Sequence, residues 1–232
     1  MIIPKMKFPL YGIIIVLSIF IGMLYIYLEL KKNNINKKEI CYYYIIYIVF
    51  SFYGGKIYTL LINGSKESIW KVGLSAYGGL LGVVIGSIIF EKIIYCNKEI
   101  IKYTVLSLPL VYGLTKIACF ISGCCSGIPY NGIFKVIYTN ELNIEQFPIQ
   151  IVETITFLIL FFICHKNRNK KNIIYTTLIL VPILKFVLDF LRYEHINTIL
   201  TKNQYFSIFL LITIIIIKKY KLIDNIILKK QQ

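Results

Sequence analysis

Residues 173–192 read IIYTTLILVPILKFVLDFLR, a stretch of twenty residues in which no charged side chain precedes Lys185. About twenty mostly apolar residues are what a helix needs to cross the hydrocarbon core of a bilayer, so this stretch predicts a transmembrane helix. Lys185, Asp189 and Arg192 are spaced i, i+4 and i+7, which predicts that they share one helix face. A charge inside a membrane costs about 2.5–3.5 kcal/mol, so the three side chains should face one another or a wet cavity.

Similar apolar runs precede and follow this one. The seven predicted spans lie near residues 8–30, 40–62, 72–90, 103–123, 147–164, 173–192 and 204–217. Hydrophobic residues make up 57% of the chain and charged residues 16%, whereas a soluble domain has about 25% charged residues. The composition predicts an all-α integral membrane protein with seven transmembrane helices, residues 1–232 forming a single polytopic domain. The first run exceeds the about 7–15 residues of a signal-peptide core, so it predicts a retained span.

The distribution of basic residues predicts the orientation of these spans. Sixteen of the 26 Lys and Arg residues lie in the loops after spans one, three and five or in the tail from Lys218, and six lie at the N-terminus or in the other loops. Because cytoplasmic loops carry the excess of basic residues, we predict that the N-terminus is outside and the C-terminus is cytoplasmic. The net charge of +15 then reflects membrane topology, and no nucleic-acid partner is expected.

The predicted orientation places the ionisable residues of the spans in the outer half of the bilayer. They comprise four cations and two carboxylates: Lys56, Lys116, Lys185, Arg192, Glu153 and Asp189. An excess of cations at this depth predicts an anionic ligand, and phospholipid headgroups are the anions that a membrane supplies. The alternative is that the long basic side chains snorkel to the interface.

Five short motifs lie in order on predicted spans two to six. They are Gly55-Lys56, Ser75-Ala-Tyr77-Gly78-Gly79-Leu-Leu-Gly82, Thr115-Lys116 with Cys119 and Cys124-Cys125-Ser-Gly127, Phe147-Pro148-Ile-Gln150-Ile-Val-Glu153, and Lys185-Phe-Val-Leu-Asp189-Phe-Leu-Arg192-Tyr-Glu194. The glycines at 78, 82 and 86 alone would indicate only a face for helix packing. Together and in this order, the motifs resemble those of the bacterial prolipoprotein diacylglyceryl transferase family.

The resemblance implies an enzyme with seven spans and an outer N-terminus, located in the bacterial cytoplasmic (inner) membrane. Such an enzyme transfers a diacylglyceryl group from phosphatidylglycerol to the lipobox cysteine thiol of exported prolipoproteins and releases glycerol phosphate. The implied partners are phosphatidylglycerol, prolipoprotein signal peptides and the lipid bilayer, with no cofactor and no metal. The matching positions imply substrate-binding roles for Lys56, Gly78, Gly79, Lys116, Cys119, Gly127, Gln150, Glu153, Lys185 and Arg192.

The chemical positions depart from the family pattern. Lysine stands for arginine at 56, 116 and 185, aspartate for glutamate at 189, and cysteine for asparagine at 119. Tyr77 replaces the histidine of the third span, and a phenol with an unperturbed pKa of about 10 is a poor base at neutral pH. We therefore expect catalytic roles for Tyr77 and Asp189, with His195 either as a substitute proton acceptor or as an exposed loop residue.

Cys124 and Cys125 lie at the predicted outer mouth of span four. They predict either a thiol or redox role near the site or small side chains that fill a tight turn before Gly127 and Pro129. The six cysteines show no metal-finger spacing and predict no disulfide framework.

Two other functions stay open from the sequence. Substitutions at the motif positions favour a diverged paralogue that binds phospholipid headgroups without transfer. Intramembrane charge by itself favours a small transporter. However, the predicted charges lie in one half of the bilayer and leave the cytoplasmic half of each span apolar, which disfavours an ion pathway.

Overall fold

Helices dominate the part of the chain that the computed structural model describes, which comprises residues 2–3, 8–63, 68–94, 99–138 and 144–220. These ranges contain α1 (Phe8–Lys32), α2 (Lys37–Asn63), α3 (Ala76–Ile94), α4 (Glu99–Ser122), α5 (Ile149–Lys166), α6 (Ile173–Leu188) and α7 (Lys202–Lys219). By length and composition, α1 to α6 can each cross a membrane. The prediction of a helical, multi-pass membrane protein is confirmed, and the seven-span count and the orientation stay predictions.

The apolar segment Ile173–Leu191 can cross a membrane, as predicted for the sixth span, but its last residues are not α-helical. The helix α6 ends at Leu188, and Asp189–Leu191 and Tyr193–His195 form two short 3-10 turns on either side of an extended Arg192 (φ −94°, ψ 148°). The chain leaves the α-helix because its backbone pairs with the α4–α5 loop: Ile128 N donates to Leu191 O and Tyr193 N donates to Ser126 O, both at 3.0 Å. Lys185, Asp189 and Arg192 therefore do not share the face of one continuous helix.

A small sheet that was not predicted from the sequence joins the α4–α5 loop to residues near the N-terminus. Strand β2 (Val136–Tyr138) pairs in parallel with β1 (Ile2–Ile3) and antiparallel with β3 (Glu145–Gln146). Val136 and Tyr138 are buried, and Phe120 of α4 packs against them. Isolated bridges join Gly127 to Arg192 and Pro129 to Gln146. The sheet and these bridges fix the loop on the ends of α4, α5 and α6.

The chain divides into two compact units. The first contains Pro109–Tyr220 together with the beginning of α1 up to Ile19, and the second contains Phe20–Leu108. The expectation of a single domain stays a prediction.

Glycines allow α2 and α3 to approach closely within the second unit. A Cβ atom at Gly82 would overlap the Phe50 carbonyl oxygen, and one at Gly78 would overlap the Tyr58 side chain. Small residues at such spacing are typical of tightly packed transmembrane helices. The stripe at positions 78, 82 and 86 therefore has the helix-packing role that its spacing indicates.

Candidate active site

Glu153 of α5 lies at the centre of an ionic network in the first unit. Its carboxylate is 3.1 Å from Lys116 Nζ of α4 and 3.4 Å from Lys185 Nζ of α6. Arg192 Nη2 donates to both carboxylate oxygens, at 2.9 and 3.1 Å. One carboxylate thus gathers cations from three parts of the chain that are distant in sequence.

Asp189 is the second carboxylate of this network. Its Oδ1 pairs with Lys185 Nζ and lies 2.9 Å from Arg192 Nε. Its Oδ2 is buried and has no hydrogen-bond partner within the described ranges. We call Lys116, Glu153, Lys185, Asp189 and Arg192 the charge cluster.

The charge cluster is enclosed by protein. The exposed fractions of Lys116, Lys185 and Arg192 are 4%, 3% and 5%, so the snorkelling alternative is wrong for these three residues. Three cations against two carboxylates leave one net positive charge. In surroundings of low dielectric constant an uncompensated charge is costly, so the cluster favours a further anionic group.

Tyr112 supports the charge cluster, and the sequence analysis missed it. Its hydroxyl donates to Glu153 Oε1 at 3.3 Å, and its ring lies 4.8 Å from Lys116 Nζ. The ring also packs on Phe157, with centroids 4.4 Å apart. Tyr112 precedes Lys116 by four residues, and this i, i+4 spacing could have indicated that both side chains share a helix face.

Three thiols meet beside the charge cluster. Cys119 lies in the last turn of α4, and Cys124 and Cys125 lie in the turn that follows; their sulfur atoms are all within 4.8 Å of one another. Gln150 Nε2 donates to the carbonyl oxygen of Cys124 at 2.7 Å, which ties this turn to α5. We call the three residues the thiol cluster.

The Cys125 thiol has an unusual environment. Hydrogen bonding with Cys119 and Cys124, together with the nearby cations Lys116 and Arg192, holds the pKa of Cys125 well below its usual range. A lowered pKa increases the thiolate fraction, and thiolates are the reactive form of cysteine. This environment favours a thiol role over the filler alternative.

Gly127 is required by a close approach of two backbones. A Cβ atom at this position would overlap the carbonyl oxygen of Phe147, and the residue also bridges to Arg192. The glycine therefore allows the loop to dock where it positions the Arg192 side chain. The predicted substrate-binding role of Gly127 stays a prediction.

His195 lies on a packed turn. Its ring is half-buried and its centroid is 4.6 Å from that of Phe190. Its Nε2 is enclosed and has no hydrogen-bond partner among the residues that the structure describes. The expectation of an exposed loop residue is therefore wrong, and the imidazole has a nitrogen that could accept a proton.

The other predicted site residues lie in the second unit. Lys56 Nζ donates to the carbonyl oxygen of Val72 at 2.6 Å. Tyr77 is buried at the beginning of α3, with its ring edge-on to Tyr58 at a centroid distance of 6.0 Å. Gly78 and Gly79 lie at the contact of α3 with α2. Their catalytic and binding roles stay predictions.

Comparison with known proteins gives consistent matches. The sequence model of the prolipoprotein diacylglyceryl transferase family matches residues 1–220. The phosphatidylglycerol–prolipoprotein diacylglyceryl transferase of Clostridium tetani is 26% identical over 225 residues, covering 87% of this chain and 88% of the relative. A protein of the same name from Buchnera aphidicola subsp. Schizaphis graminum is 27% identical over 244 residues, covering 85% and 87%. The second such transferase of Clostridium perfringens is 24% identical over 232 residues, covering 89% and 88%.

Proposed function

The chain belongs to the prolipoprotein diacylglyceryl transferase family, and from this premise we propose that it transfers a diacylglyceryl group from phosphatidylglycerol to a prolipoprotein cysteine thiol. The resemblance inferred from the five motifs is confirmed by the family match over residues 1–220. The names of the relatives state the donor, the acceptor and the transferase chemistry. On this chain, the observation that carries the proposal is the buried charge cluster with its net positive charge.

The transfer makes two chemical demands on the protein. The acceptor sulfur attacks the glyceryl carbon that bears the phosphate, so a C–S bond forms while the C–O bond to phosphate breaks. The electron pair of that C–O bond leaves with glycerol phosphate, and the thiol proton passes to an acceptor. The site must therefore stabilise a leaving phosphate and remove one proton.

The charge cluster supports the first demand. Lys116, Lys185 and Arg192 are already held together by Glu153 and Asp189, so little reorganisation precedes phosphate binding. Charge-assisted contacts are stronger when water is excluded. Arg192 contributes a planar guanidinium that Glu153 and Asp189 hold in place, whereas the two lysines act as point charges.

For the second demand, we favour His195 as the proton acceptor. It belongs to the same unit as the three cations, and its Nε2 has no other partner within the described chain. Imidazole is the usual proton carrier at neutral pH. Asp189 is then a positioning residue, since its Oδ1 holds Lys185 and Arg192 together. The motif-based alternative is Tyr77.

The proposal extends to the membrane setting. We place the protein in the bacterial cytoplasmic membrane with its N-terminus outside, and with prolipoprotein signal peptides entering from the bilayer. The helix α7 is the proposed seventh span. Its 18 residues give a length of roughly 27 Å at 1.5 Å per residue, close to the hydrocarbon thickness of about 30 Å.

A reconstituted assay tests the proposal. The purified protein in vesicles of phosphatidylglycerol should add a diacylglyceryl mass to a lipobox peptide, and vesicles of phosphatidylethanolamine alone should not support this gain. Expression of the protein should also rescue a strain depleted of its own transferase. Lys185→Ala should abolish transfer. The matched control is Lys135→Ala, which should keep transfer because Lys135 pairs with Glu145 at a partly exposed site.

The outcomes separate the alternatives. Binding of phosphatidylglycerol without any peptide modification would replace the transferase by a headgroup-binding paralogue. A folded wild-type protein that neither binds the lipid nor modifies the peptide would refute the proposal altogether.

A further inference from the structure

The thiol cluster has the geometry of a metal-ligand set. The Sγ atoms of Cys119 and Cys125 are 4.0 Å apart, and all three sulfur atoms lie within 4.8 Å of one another. For Zn–S bonds of about 2.3 Å, tetrahedral or trigonal-planar angles place neighbouring sulfur atoms about 3.8–4.0 Å apart. The observed separations need only small side-chain movements to reach these values.

The turn after α4 organises this arrangement. Gly123 and Cys125 both have positive φ, at 71° and 58°, and Gln150 holds the Cys124 carbonyl oxygen. A cysteine in this strained backbone region is uncommon and requires support from its surroundings. The fold therefore holds the three thiols in position before a metal binds. Metal binding then loses less conformational entropy than the ordering of three mobile side chains would.

We propose that Cys119, Cys124 and Cys125 form a three-thiolate site for a thiophilic metal ion, with Zn²⁺ as the ion to be tested. This site adjoins the charge cluster that the proposed function assigns to the phosphate, and it includes Cys119, for which the motifs imply a substrate-binding role. On binding, three metal–sulfur bonds form, each thiol that is still protonated releases its proton to solvent, and no oxidation state changes. The bound unit carries one negative charge.

The electrostatic surroundings complement that charge. The charge cluster beside the three thiols has one net positive charge. In the lipid-free protein, the anionic metal–thiolate unit and the charge cluster therefore offset each other. An isolated cation would be repelled by Lys116 and Arg192, so the proposal requires all three thiolates together.

The thiol cluster is also accessible and reduced, as metal binding requires. Cys124 and Cys125 are partly exposed, Cys119 is buried, and all three are free thiols. A disulfide between two of them is the competing use of these residues. The two uses are distinguishable because a disulfide removes two metal ligands and leaves a mass signature.

The test uses the full-length protein in detergent under reducing conditions. Competition with a chromophoric chelator should show one Zn²⁺ per chain, and X-ray absorption of the wild-type zinc form should show three sulfur neighbours at about 2.3 Å. Cys119→Ser, Cys124→Ser and Cys125→Ser should each weaken binding by roughly tenfold or more. Cys41→Ser and Cys164→Ser, which alter free thiols outside the thiol cluster, should bind like the wild type.

Three results would overturn the proposal: fewer than three sulfur neighbours in the wild-type spectrum, wild-type affinity in the three cluster variants, or a disulfide within the cluster that survives reduction. Size-exclusion profiles establish that the variants are folded. If a variant does not fold, the wild-type spectrum still decides the question. A wild-type protein that binds zinc but transfers no lipid would reject the proposed function and would leave the zinc-site proposal standing.

Discussion

Replacing Glu153 with glutamine should destabilise the protein more than any other single loss of charge in the first unit. The change keeps the size of the side chain, and the amide oxygen can still accept the hydrogen bond from Tyr112. It removes the one group that contacts Lys116, Lys185 and Arg192 together. Asp189 then remains the only anion facing three buried cations in the charge cluster.

The expected magnitude follows from the distances. Two unit charges 3.1 Å apart, the separation of Lys116 Nζ and Glu153 Oε2, attract by about 5 kcal/mol at an effective dielectric constant of about 20. Repulsion among the cations and the desolvation of the carboxylate offset part of the summed attraction. Removing one partner from a buried ionic network costs about 3–5 kcal/mol, and we expect a loss in this range.

The measurement is the free energy of unfolding in mixed micelles titrated with sodium dodecyl sulfate. Glu145→Gln is the matched control: Glu145 pairs with Lys135 at 2.7 Å, but both side chains are more than a third exposed. Such pairs contribute about 0–1 kcal/mol. A Glu153→Gln variant that loses less than about 1 kcal/mol, as the control should, would refute the reasoning that the cluster depends on its central carboxylate.

Four further predictions concern the site and the topology. Lys185→Ala should weaken phosphatidylglycerol binding by about 10- to 150-fold in a vesicle-binding assay, since a charge-assisted contact contributes about 1.5–3 kcal/mol; unchanged affinity would reject the phosphate clamp. In the peptide-lipidation assay, transfer that depends on His195 should fail in His195→Gln. Transfer that depends on Tyr77 should instead fail in Tyr77→Phe and improve in Tyr77→His. Because Cys119, Cys124 and the nearby cations lower the pKa of Cys125, its alkylation in the metal-free protein should slow less from pH 8 to 6 than that of an ordinary thiol. Over the same range an ordinary thiol with a pKa of about 8.5 loses roughly 75-fold, and mass spectrometry that shows such a loss at Cys125 would contradict the assignment. A reporter fused after Gln232 should be cytoplasmic, and an external reading would reverse the predicted orientation.

The sequence predicted the helical architecture because hydrophobic runs of this length have few alternatives in a membrane. The ends of the helices follow the predicted spans closely where charged residues terminate the run, as at Lys32 and Lys166. The expected continuous helix face through Asp189 and Arg192 was wrong because tertiary pairing with residues 126–128 ends the α-helix at Leu188. The sheet around Val136–Tyr138 was missed for a similar reason, since strands of two or three residues carry no periodic signal of their own.

For the site, charge within the apolar runs was the informative signal. Lys116, Glu153 and Lys185 were expected to face one another or an anion, and the structure brings them together around Glu153. The thiol cluster was not predicted, because the spacing of Cys119 and Cys124 matches no metal-binding motif. Their sulfur atoms converge only through the positive φ of Gly123 and Cys125, which a composition-based interpretation cannot supply.

The distribution of the charge cluster over three helices has a consequence for biogenesis. A chain that enters the membrane in sequence order delivers Lys116 with α4 and its counter-ion Glu153 with α5, so an α4–α5 hairpin enters electrically balanced. The α6 segment carries Lys185 and Asp189 already paired within one turn. Each successive insertion event is therefore close to neutral, and the insertion cost of about 2.5–3.5 kcal/mol for an isolated charge is reduced at each step. Arg192, which lies beyond the end of α6, accounts for the one net positive charge that the charge cluster keeps.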